Sequence, residues 1–311
     1  MFGLLKKTAD AKGRIGLAFG RDRIALAVVA GGRGQAALQR CEVLPFDPAG
    51  GAEALSAALR AAALPRLPIS TVLEAADYQL ALVEAPDVPP AELRAAVRWR
   101  IKDAIDIRVD EAVIDVFDVP APSRGTQGRM MYAVAARRSA IERHAAVLAA
   151  VGGLDVIDVP ELCLRNLAAA LPAAAGGVAL LHLGDSSATV VLAQGRTFYF
   201  ARQMELQSAA GQAAGGAGAV PDVTSIVLEL QRSLDYYERH FDQPPITRVA
   251  IAPAGQRAEV LAVKLAQETG FEVAVLDLNA LLHCPLPVAA ATQLQCLMAV
   301  AAALREERRS L

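Results

Sequence analysis

Two short turns contain the residue types that could hold a phosphate. The first turn lies in GRIGLAFGRDRIALAVV, residues 13–29, where Gly20 separates two apolar runs. The second turn, GDSSAT, supplies Gly184, Asp185, Ser186 and Ser187. Backbone amides and small hydroxyls can surround phosphate oxygens, but Gly, Asp and Ser also satisfy tight turns that bind nothing. Taken alone, these residues leave both interpretations open.

The two turns occupy equivalent places in an internal repeat. The segment VALLHLGDSSATVVLAQG, residues 178–195, repeats the opening pattern of apolar strand, glycine, polar turn and returning strand. The alignment pairs Gly184 with Gly20, His182 with Ala18 and Gly195 with Gly31. A third strand-like segment follows each copy, QAALQRCEVL in the first and RTFYFARQ in the second. Because such a repeat specifies architecture, we expect two similar half-molecules that face each other.

Helical periodicity accounts for much of the remaining chain. EALSAALRAAAL, AIERHAAVLAAVG and VTSIVLELQRSLDYYERHF each repeat apolar residues at helical spacing. The strand TRVAIAP, the helix QRAEVLAVKLAQETG and the strand FEVAVLDL then follow one another, a succession typical of an open α/β sheet. The sequence therefore predicts the α/β class, with helices that cover the two repeated sheets.

Composition narrows the possible functions. The 311 residues are 54% hydrophobic and carry 31 basic against 33 acidic residues, enough apolar material for two domains of roughly 150 residues. The near-neutral charge lacks the basic excess of a nucleic-acid binder. The four cysteines show no CxxC spacing, which favours reduced thiols in a reducing compartment. Without an apolar run of about 20 residues, we expect a soluble, cytoplasmic protein.

Several longer segments, taken in order, resemble known families. They are DVPPAELRAAVRWRIKDAIDIRVDEAVIDVFDVP, MMYAVAARRSAIERHAAVLAAVGGLDVIDVPELCLRNLAAAL and LQRSLDYYERH. The duplicated hairpins with a glycine in each turn resemble the actin-like ATPase fold. Together with these segments, nearly the whole chain resembles the PilM-type pilus assembly proteins, and most closely the MshI proteins of mannose-sensitive haemagglutinin (MSHA) pilus biogenesis.

The resemblance implies a duplicated, actin-like (ribonuclease H-like) fold of two lobes. It also implies a small inserted α+β subdomain and a shortened insertion in the second lobe. The expected boundaries are 1–77, 157–175 and 289–311 for the first lobe, 78–156 for the inserted subdomain and 176–288 for the second lobe.

The resemblance also places a nucleotide between the two turns, but this sequence departs from the pattern there. Actin-like ATPases have an aspartate before each turn that positions Mg²⁺ or water, and the matching residues are Ala18 and His182. Alanine has no ligand atom, and imidazole suits a hard cation poorly. The adenosine turn is replaced by IAPAG, in which proline removes a donor. In place of a helical wall the chain has QSAAGQAAGGAGAVPDV, whose composition predicts a flexible linker.

We therefore expect a degenerate nucleotide site, with no catalytic residue, no metal site and no cofactor. Its remaining residues are Gly20, Gly184, Asp185, Ser186, Ser187 and Gly255. Binding of ATP with Mg²⁺ is possible but disfavoured.

The remaining expectation is that the protein binds a partner protein. The resemblance implies the cytoplasmic N-terminus of a PilN-like inner-membrane protein, bound in a groove between the inserted subdomain and the first lobe. In the helix predicted over residues 91–105, an apolar stripe faces inward, and Trp99 lies off that stripe between Arg98 and Arg100. These are residue types enriched at binding hot spots. Alternatively, Trp99 is sandwiched against the strands of the subdomain. The family's proline-containing segment after this helix is replaced here by AIDIRVDE, so the details of the groove cannot be transferred.

Two functions from different classes remain open. One is a non-catalytic adaptor, peripheral to the inner membrane through its partner, in a pilus machine or a related secretion system. The other is an actin-like ATPase whose bound nucleotide switches lobe closure and partner binding. The missing carboxylates favour the adaptor, whereas the retained GDSSAT turn allows the ATPase.

Overall fold

A computed structural model describes residues 13–31, 36–121, 128–172, 176–184, 186–206, 223–253 and 255–307. The strands are β1 Gly13–Phe19, β2 Arg23–Ala30, β3 Ala37–Pro45, β4 Ile69–Val72, β5 Tyr78–Glu84, β6 Ala112–Asp118, β7 Met130–Arg137, β8 Leu154–Asp158, β9 Val178–Leu183, β10 Ser187–Gln194, β11 Thr197–Glu205, β12 Arg248–Ala252 and β13 Glu272–Val275. The helices are α1 Gly51–Ala61, α2 Pro90–Arg100, α3 Arg138–Ala149, α4 Pro160–Ala170, α5 Val223–Phe241, α6 Gln256–Thr269, α7 Leu278–Leu281 and α8 Ala290–Ala303. The predicted linker over residues 207–222 lies outside the described residues.

Two five-stranded sheets share one topology. Their strand orders are β3-β2-β1-β4-β8 and β11-β10-β9-β12-β13. In each sheet the first three strands in sequence pair antiparallel, and the last two are parallel to the first. The duplication expected from the two hairpins is therefore confirmed, and each hairpin forms the centre of one lobe.

Two helices cross between the lobes and form the layer that joins them. Helix α4 follows β8 of the first lobe but packs against β9 and β10 of the second. Helix α8 follows β13 and the short α7, and it packs against β1 and β2 of the first lobe. The two helices also contact each other in a core that contains residues of both sheets. Within the segment 157–175, which we assigned to the first lobe, α4 therefore packs on the sheet of the second lobe.

The inserted subdomain is a three-stranded antiparallel sheet covered by α2. Its strand order is β5-β7-β6. The predicted stripe of α2 faces this sheet, since Val97 and Ile101 are buried in the same cluster as Met131 and Ala133. The helix ends at Arg100, five residues before the predicted end, and Ile101 provides its C-cap.

The far boundary of the insertion requires a correction. Helix α3 packs against α1 and buries Val147 and Leu148 in the core of the first lobe. Strand β8 pairs in parallel with β4 of the same lobe. The inserted sheet therefore ends at Arg137, and the predicted boundary at residue 156 includes α3 and part of β8 in error.

The insertion also touches the second lobe, through an aromatic cluster. Phe117 and Tyr132 of the insertion stack with ring centroids 5.3 Å apart. Phe198 of β11 meets both rings edge-on, with centroid distances of 5.4 Å. The backbone amide of Ala201 donates a hydrogen bond to the Tyr132 hydroxyl at 3.3 Å. The inserted sheet is thus tied to the edge strand β11 as well as to the first lobe.

None of the described helices is both long enough and apolar enough to cross a bilayer.

Candidate functional site

The two glycine turns share one backbone hydrogen bond. The amide of Gly20 donates to the carbonyl of Arg23 at 2.8 Å, and the amide of Gly184 donates to the carbonyl of Ser187, also at 2.8 Å. Each turn is thus closed by a bond from the glycine to the third residue after it. Because this bond occupies the glycine amide, that amide is not free to point at a ligand in either turn.

The first turn carries charged side chains of its own. Arg23 donates to the carboxylate of the neighbouring Asp22 at 2.7 Å, and both side chains are about half exposed. This hydrogen bond holds the pKa of Asp22 below its ordinary value. The turn is therefore a solvated ion pair beside Gly20, and it contains none of the small hydroxyls found in the second turn.

The second turn is held by an arginine that the sequence analysis did not single out. Arg257, in the first turn of α6, donates from Nη1 to the carbonyl of Gly184 at 3.3 Å. Gly255 directly precedes this helix with a φ of 152°, a value that favours glycine. Ser186 is exposed, and its carbonyl accepts a bond from the amide of Leu206 at 2.9 Å. Arg257 thus links the turn at Gly184 to the segment after Gly255, whereas Asp185 lies outside the described residues.

Ala18 and His182 stand at the two positions where actin-like ATPases have aspartate, and their surroundings differ. Ala18 packs against the core between the lobes. His182 pairs with Thr189 and Ala252 on its two neighbouring strands. Burial lowers the pKa of His182 to about 4, so its imidazole is neutral at pH 7. A methyl group and a neutral imidazole do not fit a Mg²⁺-nucleotide complex, which needs carboxylate or other oxygen ligands at these places.

Trp99 is exposed on the outer face of α2. Its exposed fraction is 71%, so the interpretation that it is sandwiched against the strands is wrong. Arg98 donates from Nη1 to the carbonyl of Val109 at 2.5 Å, and Arg100 donates to the carbonyl of Glu84 at 3.2 Å. Both arginines are thus hydrogen-bonded to backbone carbonyls of the subdomain, and the Trp99 side chain between them is exposed.

A cleft of about 430 Å³ lies where the insertion meets α4, the β10–β11 turn and the segment just after α8. Its apolar wall includes Phe117, Leu162 and Phe198, and its polar wall includes Arg165, Arg196 and Glu307. The second lobe forms one side of this cleft, whereas the resemblance implies a groove between the insertion and the first lobe. Sequence reasoning missed this cleft, because its walls come from four distant segments.

A network of ion pairs forms the polar wall of the cleft. Arg305 binds the buried carboxylate of Asp158 at 2.6 Å. Arg165 donates to both oxygens of Glu307, at 2.5 and 2.9 Å. Burial alone would raise the pKa of Glu307, but the bonds from Arg165 and the charges of the nearby arginines lower it below its ordinary value. Glu307 is therefore ionised near neutral pH and neutralises Arg165.

A chain in a solved PilM–PilN type IV pilus biogenesis complex has a similar structure. The match covers 94% of this chain and 98% of that one, with a TM-score of 0.67 and 20% sequence identity. The protein has the actin-like ATPase fold. At this identity the likeness establishes the fold alone.

Two further solved structures are similar at lower scores. A Bacteroides thetaiotaomicron protein with an actin-like ATPase fold and unknown function matches 95% of the chain, with a TM-score of 0.49 and 9% identity. The cytoplasmic domain of EpsL, an inner-membrane component of the Vibrio cholerae type II secretion system, matches 92%, with a TM-score of 0.48 and 12% identity. No protein-family model and no curated protein matches the sequence.

Proposed function

We propose that this protein is a non-catalytic adaptor of a type IV, MSHA-type pilus assembly machine. In this role it docks the cytoplasmic segment of a PilN-like inner-membrane protein and is held at the inner membrane by that partner. The observation that supports the proposal most strongly is the likeness, over 94% of the chain, to a chain of a PilM–PilN complex. The MshI-like order of sequence segments supports the assignment to an MSHA-type machine.

The residues at the two aspartate positions of the nucleotide site support a function without ATP hydrolysis. Ala18 offers no ligand for Mg²⁺, and burial keeps His182 neutral. Arg257 places a permanent positive charge beside the turn at Gly184. A guanidinium pairs with phosphate oxygens but cannot coordinate a divalent cation, so Arg257 does not replace the missing carboxylates. The turns then serve as hairpins that connect the central strands.

The cleft is the proposed docking site. Phe117, Leu162 and Phe198 provide an apolar wall, and the end of edge strand β6 borders the same space. An extended peptide can add its backbone to an edge strand and place alternate side chains in apolar pockets. Trp99, on the outer face of α2, provides a second anchor for a larger part of the partner.

The test uses the cytoplasmic segment of the PilN-like protein from the same genome as a labelled synthetic peptide. We expect saturable binding to the purified protein by fluorescence anisotropy, with the same affinity in the presence and absence of MgATP. Phe117→Ala should weaken binding, whereas Leu286→Ala, at a residue that is 81% exposed and outside the cleft, should not. Absence of binding under both conditions contradicts the proposal.

A nucleotide-dependent switch is the second candidate. It is favoured by the shared geometry of the turns at Gly20 and Gly184, which retain the hairpin pair of an actin-like site. Binding of the same peptide only in the presence of MgATP would support this candidate over the adaptor.

A further inference from the structure

Two arginines in the wall of the cleft are neutralised by two carboxylates that follow α8. Arg305 follows α8 and is anchored to the buried Asp158. Glu306 and Glu307 come next, without regular secondary structure, and we call these two residues the tail. Glu307 accepts two hydrogen bonds from Arg165, and Glu306 pairs with Arg196 at 2.5 Å. The cleft is therefore closed on one side by tail carboxylates bound to cations that belong to its wall.

The ion pair between Arg165 and Glu307 is unequally buried. Arg165 is 5% exposed, and its Nε atom has no hydrogen-bond partner. The side chain of Glu307 is 42% exposed and that of Glu306 is 61% exposed. A buried cation left without an anion is strongly destabilising. Whatever occupies the cleft in place of the tail must therefore bring an anion to Arg165.

The other charges around the cleft do not supply that anion. Asp158 is already bound to Arg305 at 2.6 Å. Asp118, on the rim, is bound by Arg129 at 2.6 Å. Departure of the tail would therefore leave Arg165 and Arg196 without their present carboxylate partners, and the wall would carry a positive surplus.

We propose that the docked peptide carries an acidic side chain that replaces Glu307 on Arg165, and that the tail is a built-in competitor for this site. The inference rests on the proposed function and specifies the chemistry of its partner. One carboxylate is exchanged for another, so Arg165 stays neutralised in both states. The apolar wall formed by Phe117, Leu162 and Phe198 selects an apolar residue near the acidic one in the extended segment.

Two changes test the proposal, one in the tail and one in the peptide. The Glu306→Gln, Glu307→Gln double variant removes the competing charges and should bind the peptide about tenfold more tightly. Glu272→Gln is the matched control, because Glu272 forms a similar bidentate pair with Arg248 at the edge of the second sheet. The affinity of the Glu272→Gln variant for the peptide should equal that of the native protein.

A second peptide has each acidic residue replaced by its amide. On the native protein it should bind about tenfold more weakly than the acidic peptide. Arg165→Met should remove this difference between the peptides. Because a change at a buried residue can impair folding, Arg196→Gln provides a second variant at a half-exposed position and should reduce the difference.

The outcomes separate this inference from the proposed function. Equal binding of the acidic and amide peptides, with no effect of the tail variant, overturns the inference and leaves the adaptor function standing. Binding of a natural segment that contains no acidic residue overturns it as well. Failure of both peptides to bind any variant contradicts the proposed function, and the inference falls with it.

Discussion

The carbonyl oxygen of Ala299 in α8 lies where a side chain on Gly16 of β1 would begin. A Cβ built on Gly16 would stand 1.8 Å from that oxygen and 2.7 Å from the amide nitrogen of Ala303. The helix backbone thus passes directly over the central strand of the first lobe. Among the glycines of β1 and its turn, Gly16 therefore serves helix packing, and Gly20 closes the turn.

Gly16→Ala should destabilise the protein by about 2 to 4 kcal/mol, because the contact is with helix backbone that cannot move aside without repacking the core. Urea unfolding measures this change. Gly20→Ala is the matched control, since its Cβ would meet only Arg23 at 3.3 Å, and it should cost about 1 kcal/mol or less. Equal losses in the two variants would contradict the packing role of Gly16.

Excess MgATP or MgADP should leave the melting temperature unchanged, because Ala18 and the neutral His182 supply no carboxylate to hold the metal ion. A ligand at about 100 times its dissociation constant would stabilise the folded state by about 2.7 kcal/mol. For a protein of this size, that corresponds to a shift of several degrees, which differential scanning fluorimetry detects readily. A clear shift would support the nucleotide switch.

Trp99→Ala should weaken binding of the intact PilN-like protein by about tenfold, the size of a typical hot-spot effect. The free energy of unfolding should change by about 0.5 kcal/mol or less, because the side chain is 71% exposed. Affinity of the membrane protein in detergent and urea unfolding give the two values. Full affinity in a well-folded variant would remove Trp99 from the interface.

Asp158→Asn should cost about 3 to 5 kcal/mol, because it leaves the largely buried Arg305 without its carboxylate partner. Asp118→Asn is the matched control. Asp118 binds Arg129 at the same 2.6 Å, but both side chains are about 60% exposed, so its loss should cost about 0.5 kcal/mol or less. Chemical denaturation of both variants checks the prediction, and similar costs would show that burial does not determine the effect.

Stability should fall as the pH decreases from about 6.5 to about 4, in part because of His144. Burial, and then the charge of Arg143, lower the pKa of His144 to about 4 from an ordinary value of 6.5. Between these values the unfolded chain binds a proton that the folded chain does not, so protonation favours unfolding, by about 1 to 3 kcal/mol.

His144 is hydrogen-bonded through Nδ1 to Thr71 at 3.1 Å, and glutamine can replace that bond. In His144→Gln, the loss of stability between about pH 7 and about pH 4.5 should be smaller than in the native protein. His182, which is also held neutral by burial, should preserve part of the slope. Urea titrations at both pH values measure this loss of stability. If the loss is the same in His144→Gln as in the native protein, His144 is excluded as a contributor.

Local sequence patterns were sufficient to predict the repeated sheets and the inward face of α2. The alternation of strands and the glycine turns depend on neighbouring residues, so the pairing of Gly20 with Gly184 was visible before the fold was known. The stripe containing Val97 and Ile101 follows in the same way from helical spacing.

The tertiary structure decided which sheet each helix covers and which charges meet. The periodicity of α3 is the same whether it packs on the insertion or on the first lobe, so the boundary at Arg137 came from the pairing of β8 with β4. Helical spacing likewise placed Trp99 off the apolar stripe, without showing that nothing covers it. Arg165 and Glu307 are 142 residues apart, and Arg257 reaches Gly184 across 73 residues. Contacts of this kind form only when α4, α6 and α8 are packed, because packing brings together side chains that no local pattern relates.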